Sequence, residues 1–484
     1  MTDSASPSPA PAKAVRPWSL LGFGLFAANG SLAPTLEVAL GVADLSSSLL
    51  RLFIMAALST VVYLTAAAHV HRTQRNPWSL PLLAACCGLL MLFPILEATS
   101  FATQQVWWDG IALICFSLGN AGLFLMWSRQ IAATTPRTAG ITYAASLAGA
   151  SLLFLAVHAG GSMVTIAAMI ALPLLSGALL ARRMTDPSIP ANAFAANGES
   201  VEWKIPWRPL VLIVVFSCAY GTVSHFGGNT MVSNEVGRFI SSVAIFIFVA
   251  AFYARLDEGS IAKTATLCLM GALLLCGIPH LGHTEGAKLL GSIGYYGFTL
   301  YVYFALSTIC FRYHAQPEWL FGTAQAAFVV ASAPSGLFGD WLRDQSTTAP
   351  LTAELVLAGF VLVVGALGLF LLVDTPSRST WGIKALRRVT GDEGQREQIL
   401  GNHLADRAYC CAMIAKRYGL TQREEEVLSL LAEGKSFTAI EADLYIAHGT
   451  MRVHVQHIYK KLDVHSKEEA QQFVEDWRRN AGRS

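Results

Sequence analysis

Near the C-terminus, the stretch GTMRVHVQHIYKKL (residues 449–462) holds Arg452, Lys460, Lys461 and two histidines, with no acid. Met451, Val455, Ile458, Tyr459 and Leu462 recur at helical spacing and predict one buried stripe. Arg452, Val453, Gln456, His457 and Lys460 share another stripe, which is basic. Cations on one helix face can neutralise phosphates, and Arg and Gln can read base edges in the major groove. The chemistry these residues offer is recognition of double-stranded DNA rather than bond making. The chain shows no nucleophile–base motif, phosphate loop or metal-ligand set, so no enzyme, cofactor or metal is expected.

A basic helix needs neighbours to hold it, and the preceding residues supply them. LTQREEEVLSLLAEG (420–434) places Thr421 at a helix start, acids in the first turn and Gly434 at the stop. A short helix over 436–443 and the turn LYIAHG (444–449) lead into the basic helix. SKEEAQQFVEDW (466–477) follows, with Ser466 and Glu469 predicting a capping box.

These residues resemble the LuxR-type helix-turn-helix family. Leu420, Thr421, Arg423, Glu424, Glu426, Val427 and Leu428 match its first pattern. Ile446, Thr450, Arg452, His454, Ile458, Lys461 and Leu462 match its second, with Met451 in place of Val. The resemblance covers about 416–475 and implies a tetrahelical DNA-binding domain whose third helix enters the major groove. It implies base-edge contacts from Arg452, Val453 and Gln456. Thr450, His454 and Lys461 would support the helix or touch phosphate, with His457 and Lys460 on the same basic face. It further implies a homodimer on DNA through the fourth helix, with Phe473, Val474 and Trp477 as the apolar contacts. Two departures stand out: Ala447 replaces the usual N-cap Ser, and Ala439 and Glu441 alter the second helix.

The rest of the chain is different in kind. Only 14% of the 484 residues are charged, against about 25% in an average soluble domain, and the deficit falls on residues 18–373. Twelve apolar runs there approach the ~20 residues that cross a bilayer. Residues 1–17 read as a disordered lead-in. A first six-span half (18–181), a loop (182–207) and a second six-span half (208–374) follow. A linker (375–415) then leads to the helix-turn-helix domain (416–484). Shifting the first half by 187 positions lays its spans over the second and Arg51 onto Arg238, as two parallel repeats would. This organisation resembles the major facilitator superfamily, although HVHRTQRNP (69–77) lacks the acid and glycine of that family's usual loop signature. The fold class expected is all-α throughout. Lys and Arg concentrate in alternate loops, which predicts a multi-pass protein of the cytoplasmic membrane with both termini and the central loop inside. Arg378, Lys384, Arg387 and Arg388 around Trp381 suit anionic lipid headgroups.

Ionisable and amide side chains at membrane depth are candidates for binding a small-molecule inducer: Glu37, Arg51, Arg238, Asn29 and His225. Glu37, Arg51 and Arg238 would favour an anionic ligand if the halves bring them together. The other reading is that these charges anchor span ends in headgroups. The pair HLGH (280–283) is too small a set for a metal. The tyrosines of GYYGFTLYVYF (294–304) fit packing or an interfacial belt better than a ligand box. Cysteines lie mostly in apolar runs, without disulfide or zinc spacing. The expectation is a membrane-embedded one-component transcription regulator, and the alternative is a transporter with a regulatory DNA-binding tail.

Overall fold

A computed structural model describes residues 17–40, 45–73, 76–186, 207–226, 231–252, 258–278, 285–313 and 315–373. In the tail it describes 411, 414–415, 417–432, 437, 440–441 and 448–481. The chain divides into two compact units, Met1–Val389 and Thr390–Ser484. Among the described residues there are helices and no strands.

Among the described residues of the first unit, a short 3-10 helix (Pro17–Leu21) precedes twelve α-helices. They are α1 (Gly22–Ala39), α2 (Leu45–Thr73), α3 (Leu80–Thr103), α4 (Val106–Ala132), α5 (Pro136–His158) and α6 (Gly161–Met184). After the central loop come α7 (Trp207–Phe226), α8 (Met231–Phe252), α9 (Glu258–Cys276), α10 (Glu285–Tyr313), α11 (Pro317–Thr348) and α12 (Pro350–Val373). Among the described residues, ten are long and apolar enough to cross a membrane. Of the other two, α9 has a shorter described apolar stretch, Ile261–Cys276, and α1 contains Asn29, Pro34 and Thr35. Starts are marked by Pro in the first turn of α3, α5 and α11, and the hydroxyls of Ser79 and Thr135 cap α3 and α5.

The helix pairings carry an internal two-fold. The contacts α1–α5, α1–α6, α3–α4, α3–α6 and α2–α4 recur as α7–α11, α7–α12, α9–α10, α9–α12 and α8–α10. Adding six to each number in α5–α8, and returning from twelve to one, gives α11–α2, and both contacts join the halves. The same operation relates α5–α10 to α11–α4 and leaves α4–α10 unchanged. The halves therefore pack as equivalent six-helix bodies.

Glycines set the closest crossings. A Cβ on Gly24 would stand 2.6 Å from the Ser146 carbonyl oxygen, tying α1 to α5. One on Gly339 would stand 2.7 Å from the Thr222 carbonyl oxygen, tying α11 to α7, the equivalent pair. Cys86 and Cys87 are buried, and their sulfurs fill the space beside Gly122 and Gly177, so they act as small packing groups. An aromatic cluster of Phe23, Phe26, Tyr63, Phe124, Tyr143, Tyr303 and Phe321 spans both halves. Tyr303 belongs to it and Tyr295 stacks on Tyr220 with centroids 4.1 Å apart; this is interior packing, not an interfacial belt.

The tail unit contains α13 (Gln422–Ala432), α14 (His448–Leu462) and α15 (Lys467–Ala481). Of the expected helix at 436–443, Phe437, Ile440 and Glu441 are helical; Ala439, Ala447 and most of the 375–415 linker lie outside the described residues. Val427, Leu431, Met451, Val455, Ile458 and Leu462 are buried together, so the predicted apolar stripe of the basic helix faces the tail's own core. Thr421 and Glu424 form a reciprocal capping box at the start of α13, with bonds of 3.3 and 2.7 Å. At the start of α15, Ser466 caps the Glu469 amide at 3.0 Å, but the Glu469 carboxylate accepts from His465 N, one residue earlier than a standard box requires.

Candidate nucleic-acid interface and buried polar groups

With the stripe of Met451, Val455 and Ile458 turned inward, the opposite side of α14 is left to solvent. Thr450, Arg452, Val453, Gln456, His457 and Lys460 are exposed along it, while His454 is half-buried. Val453 is 47% exposed, an unusual setting for a β-branched apolar residue unless a partner covers it. Arg452 and Gln456 lie one turn apart on this face, free of acids from their own helix.

Lys461 is placed differently. Its ammonium donates to Glu424 Oε2 at 2.7 Å and to the Gly419 carbonyl at 2.9 Å, and His457 Nδ1 lies 3.3 Å from Glu424 Oε1. Burial pushes the Glu424 carboxyl up, but the bonds from Lys461 and Thr421 outweigh it and hold the group at about 2. Glu424 thereby fastens the start of α13 to the end of α14 and fixes the angle at which the basic face is presented. The sequence pattern contained both residues without revealing that they pair.

The three residues expected at a dimer interface also divide. Val474 is enclosed in the tail's own core, so its side chain is not available to a partner. Phe473 and Trp477 are half-buried against Tyr418, with Arg417 over the Trp477 ring.

In the membrane unit, the described members of the expected ligand set have separate partners. Glu37 is in the last turn of α1, but its side chain lies outside the described residues, as does HLGH. Arg51 does not anchor in headgroups: it is 5% exposed, 2.5 Å from Glu97 on α3 and 2.9 Å from Asp109 on α4. Arg238 is equally buried. It pairs with Glu235, donates to Ser151 of α5 at 2.8 Å and Ser31 of α1 at 2.7 Å, and lies over the Tyr296 ring. His225 faces Asp340 at 3.2 Å, and Asp340 also takes Arg343. Asn29 is 1% exposed, and neither of its amide atoms has a hydrogen-bond partner among the described residues.

Sequence inspection missed one further group. Glu318 on α11 is fully buried, and its Oε1 accepts from Arg129 of α4 at 2.7 Å and from the Trp78 indole at 2.8 Å. Among the described residues, every buried ionised side chain of this unit lies beside an opposite charge: Arg51, Arg129, Arg238, Lys288 and Arg183 face Glu97, Glu318, Glu235, Glu285 and Asp186.

The geometry defines a class: a unit of long apolar helices, ten of them able to cross a membrane among the described residues, followed by a small helical domain with an exposed basic helix. Residues 419–474 match the family described as bacterial regulatory proteins, luxR family. The probable transcriptional regulatory protein NarL of Mycobacterium tuberculosis is 51% identical over 45 residues, 9% of this chain and 21% of that protein. LiaR, a transcriptional regulatory protein of Bacillus subtilis, is 29% identical over 110 residues, 23% of this chain and 51% of that one. The chain thus spans about half, or less, of the length of these curated relatives. Over 74% of the chain, the fold is similar to the Escherichia coli fucose:proton symporter FucP (13% identity, TM-score 0.49, 99% of that chain). The human organic anion transporter MFSD10 gives 15% identity and the same TM-score over 100% of its chain.

Proposed function

We propose that this protein is a one-component transcription regulator embedded in the cytoplasmic membrane: the membrane unit senses a small molecule, and the tail binds double-stranded DNA as a homodimer. The exposed basic face of α14, set on a domain with its own core, carries this reading. Arg452, Val453 and Gln456 read bases, and Thr450, His454, His457 and Lys460 support them or meet phosphate. Lys461 acts from behind through Glu424. The dimer forms through the open edge of α15 that Phe473 and Trp477 share with solvent.

The inducer is uncharged. The expectation of an anionic ligand relied on arginines with charge to spare, and these arginines are spent on carboxylates. Among the described residues the buried charges of the spans face opposite charges, whereas the Asn29 amide is neutral and without a hydrogen-bond partner, and an amide offers a donor beside an acceptor. A thermal-shift screen of the full-length protein against neutral compounds and their carboxylate analogues tests this. A ligand that binds only through its carboxylate would sink the idea.

The DNA arm is tested by gel shift at fixed salt, using sites found by mapping the tagged full-length protein on the genome. Arg452→Ala should weaken specific binding by ~1–3 kcal/mol and relax base preference. Lys460→Ala should weaken all sequences alike and lower the salt slope by about one. Specific binding that survives Arg452→Ala undiminished would remove that residue from the reading face. Both termini and the 182–207 loop face the cytoplasm. An impermeant thiol reagent should therefore fail to label a lone cysteine at position 195 in intact cells.

A further inference from the structure

Successive spans run in opposite directions, so α2, α4, α10 and α12 end, and α3, α5 and α11 begin, on one face of the membrane unit. The chain leaves for the tail from that face. Four contacts join the two halves there. Arg129 near the end of α4 meets Glu318 in the first turn of α11, and Trp78, between α2 and α3, bonds to the same carboxylate oxygen. His71 of α2 stacks on Trp319 with centroids 5.1 Å apart, and Arg137 of α5 donates to the Ala250 carbonyl of α8 at 2.9 Å.

The Glu318 group differs from the other buried pairs in where its partners come from. Arg51, Lys288 and Asp340 find their opposite charges within their own half, and Arg238 finds Glu235 one turn away on its own helix. Arg129 and Glu318 come from different halves and are 7% and 0% exposed. One oxygen of Glu318 takes both donors, while Oε2, like Glu97 Oε2, is buried without a hydrogen bond among the described residues. A buried ion pair contributes little net stability but is costly to break by removing one partner, which suits a registering contact with two distinct states. The unspent oxygen is a site for a second arrangement of donors.

We infer that Arg129, Glu318 and Trp78 form an interlock between the halves, and that its state sets the DNA-binding output of the tail. This rests on the regulator reading above and assigns the device by which occupancy of the spans would be transmitted. A ligand that favours one packing of the halves would work by making or releasing this contact, because a ligand shifts an equilibrium only through differential affinity for its two states. The residues are positioning residues; none is asked to touch the ligand.

The test uses the full-length protein in cells, with DNA occupancy measured at mapped sites without added compound and normalised to the amount of protein in the membrane. Glu318→Gln and Arg129→Gln should each change occupancy at least 5-fold, in the same direction. The exchange R129E/E318R should return it to within 2-fold of the parent. Glu354→Gln, on the exposed face of α12, should leave it unchanged. Trp78→Phe keeps an aromatic ring of smaller volume, removes the indole donor and leaves both charges in place, so it guards against variants that fail to fold; it should move occupancy 2- to 3-fold in the same direction. Parental occupancy in Trp78→Phe and in either charge variant overturns the inference, as does an exchange no better than the singles. Absence of mapped sites for the parent itself would instead refute the regulator reading and leave these comparisons unnecessary.

Discussion

Glu424 illustrates how one side chain fixes the presentation of a surface it is not part of. Its carboxylate closes the capping box of α13 and receives Lys461 from the end of α14. Held at about 2 in the folded tail against about 4.3 unfolded, it contributes stability that is complete above the unfolded value. That contribution drains away as the pH falls from ~4.5 toward 2, and its full size is on the order of 3 kcal/mol. Melting of the 390–484 fragment should therefore fall steeply across that window, and Glu424→Gln should flatten the fall. Lys461→Ala should lower stability at neutral pH by ~1–3 kcal/mol by leaving a buried carboxylate short of a partner. An unchanged melt would return Lys461 to a phosphate-contacting role. The residue types on the basic face were legible because exposure follows from a 3.6-residue period. The Lys461–Glu424 pair was not, because 37 residues separate the two and no local period links them.

At the scale of elements, apolar run length predicted where helices lie, and the structure has a helix in each of the twelve runs. Which helices touch was less accessible. The 187-residue offset foretold equivalence of the halves, but the pairing of α5 with α8 and of α2 with α11 depends on small side chains whose positions have no simple period. Gly339 and Gly24 show the reason: what matters is a backbone carbonyl on another helix, 2.7 and 2.6 Å from the Cβ that is missing. Gly339→Val should drive α11 off α7 and cost more than the ~1–3 kcal/mol typical of overpacking, since backbone rather than a flexible side chain must yield. Gly110→Val, with open space around it, is the matched control. Comparable yield and melting of the two variants in detergent would refute close approach as the determinant of this crossing.

At the scale of the molecule, Arg51 and Arg238 of the expected ligand set have partners that the sequence does not show, because it displays each ionisable residue without them. Glu97 and Asp109 lie 46 and 58 residues beyond Arg51, and Ser31 and Ser151 reach Arg238 from the other half. The pairing of buried ions has a further consequence, for membrane voltage. A unit charge carried across 100 mV exchanges about 2.3 kcal/mol with the field, enough to bias a switch of modest energy. Ions that move as opposite pairs carry almost no net charge through that field. The sensor proposed above, with these pairs kept together inside each half, would report its chemical input without distortion from the energisation of the cell. Collapsing the potential with an ionophore should leave the DNA occupancy of the tail where the inducer had set it, and a shift in occupancy on collapse would show that unpaired charge moves after all.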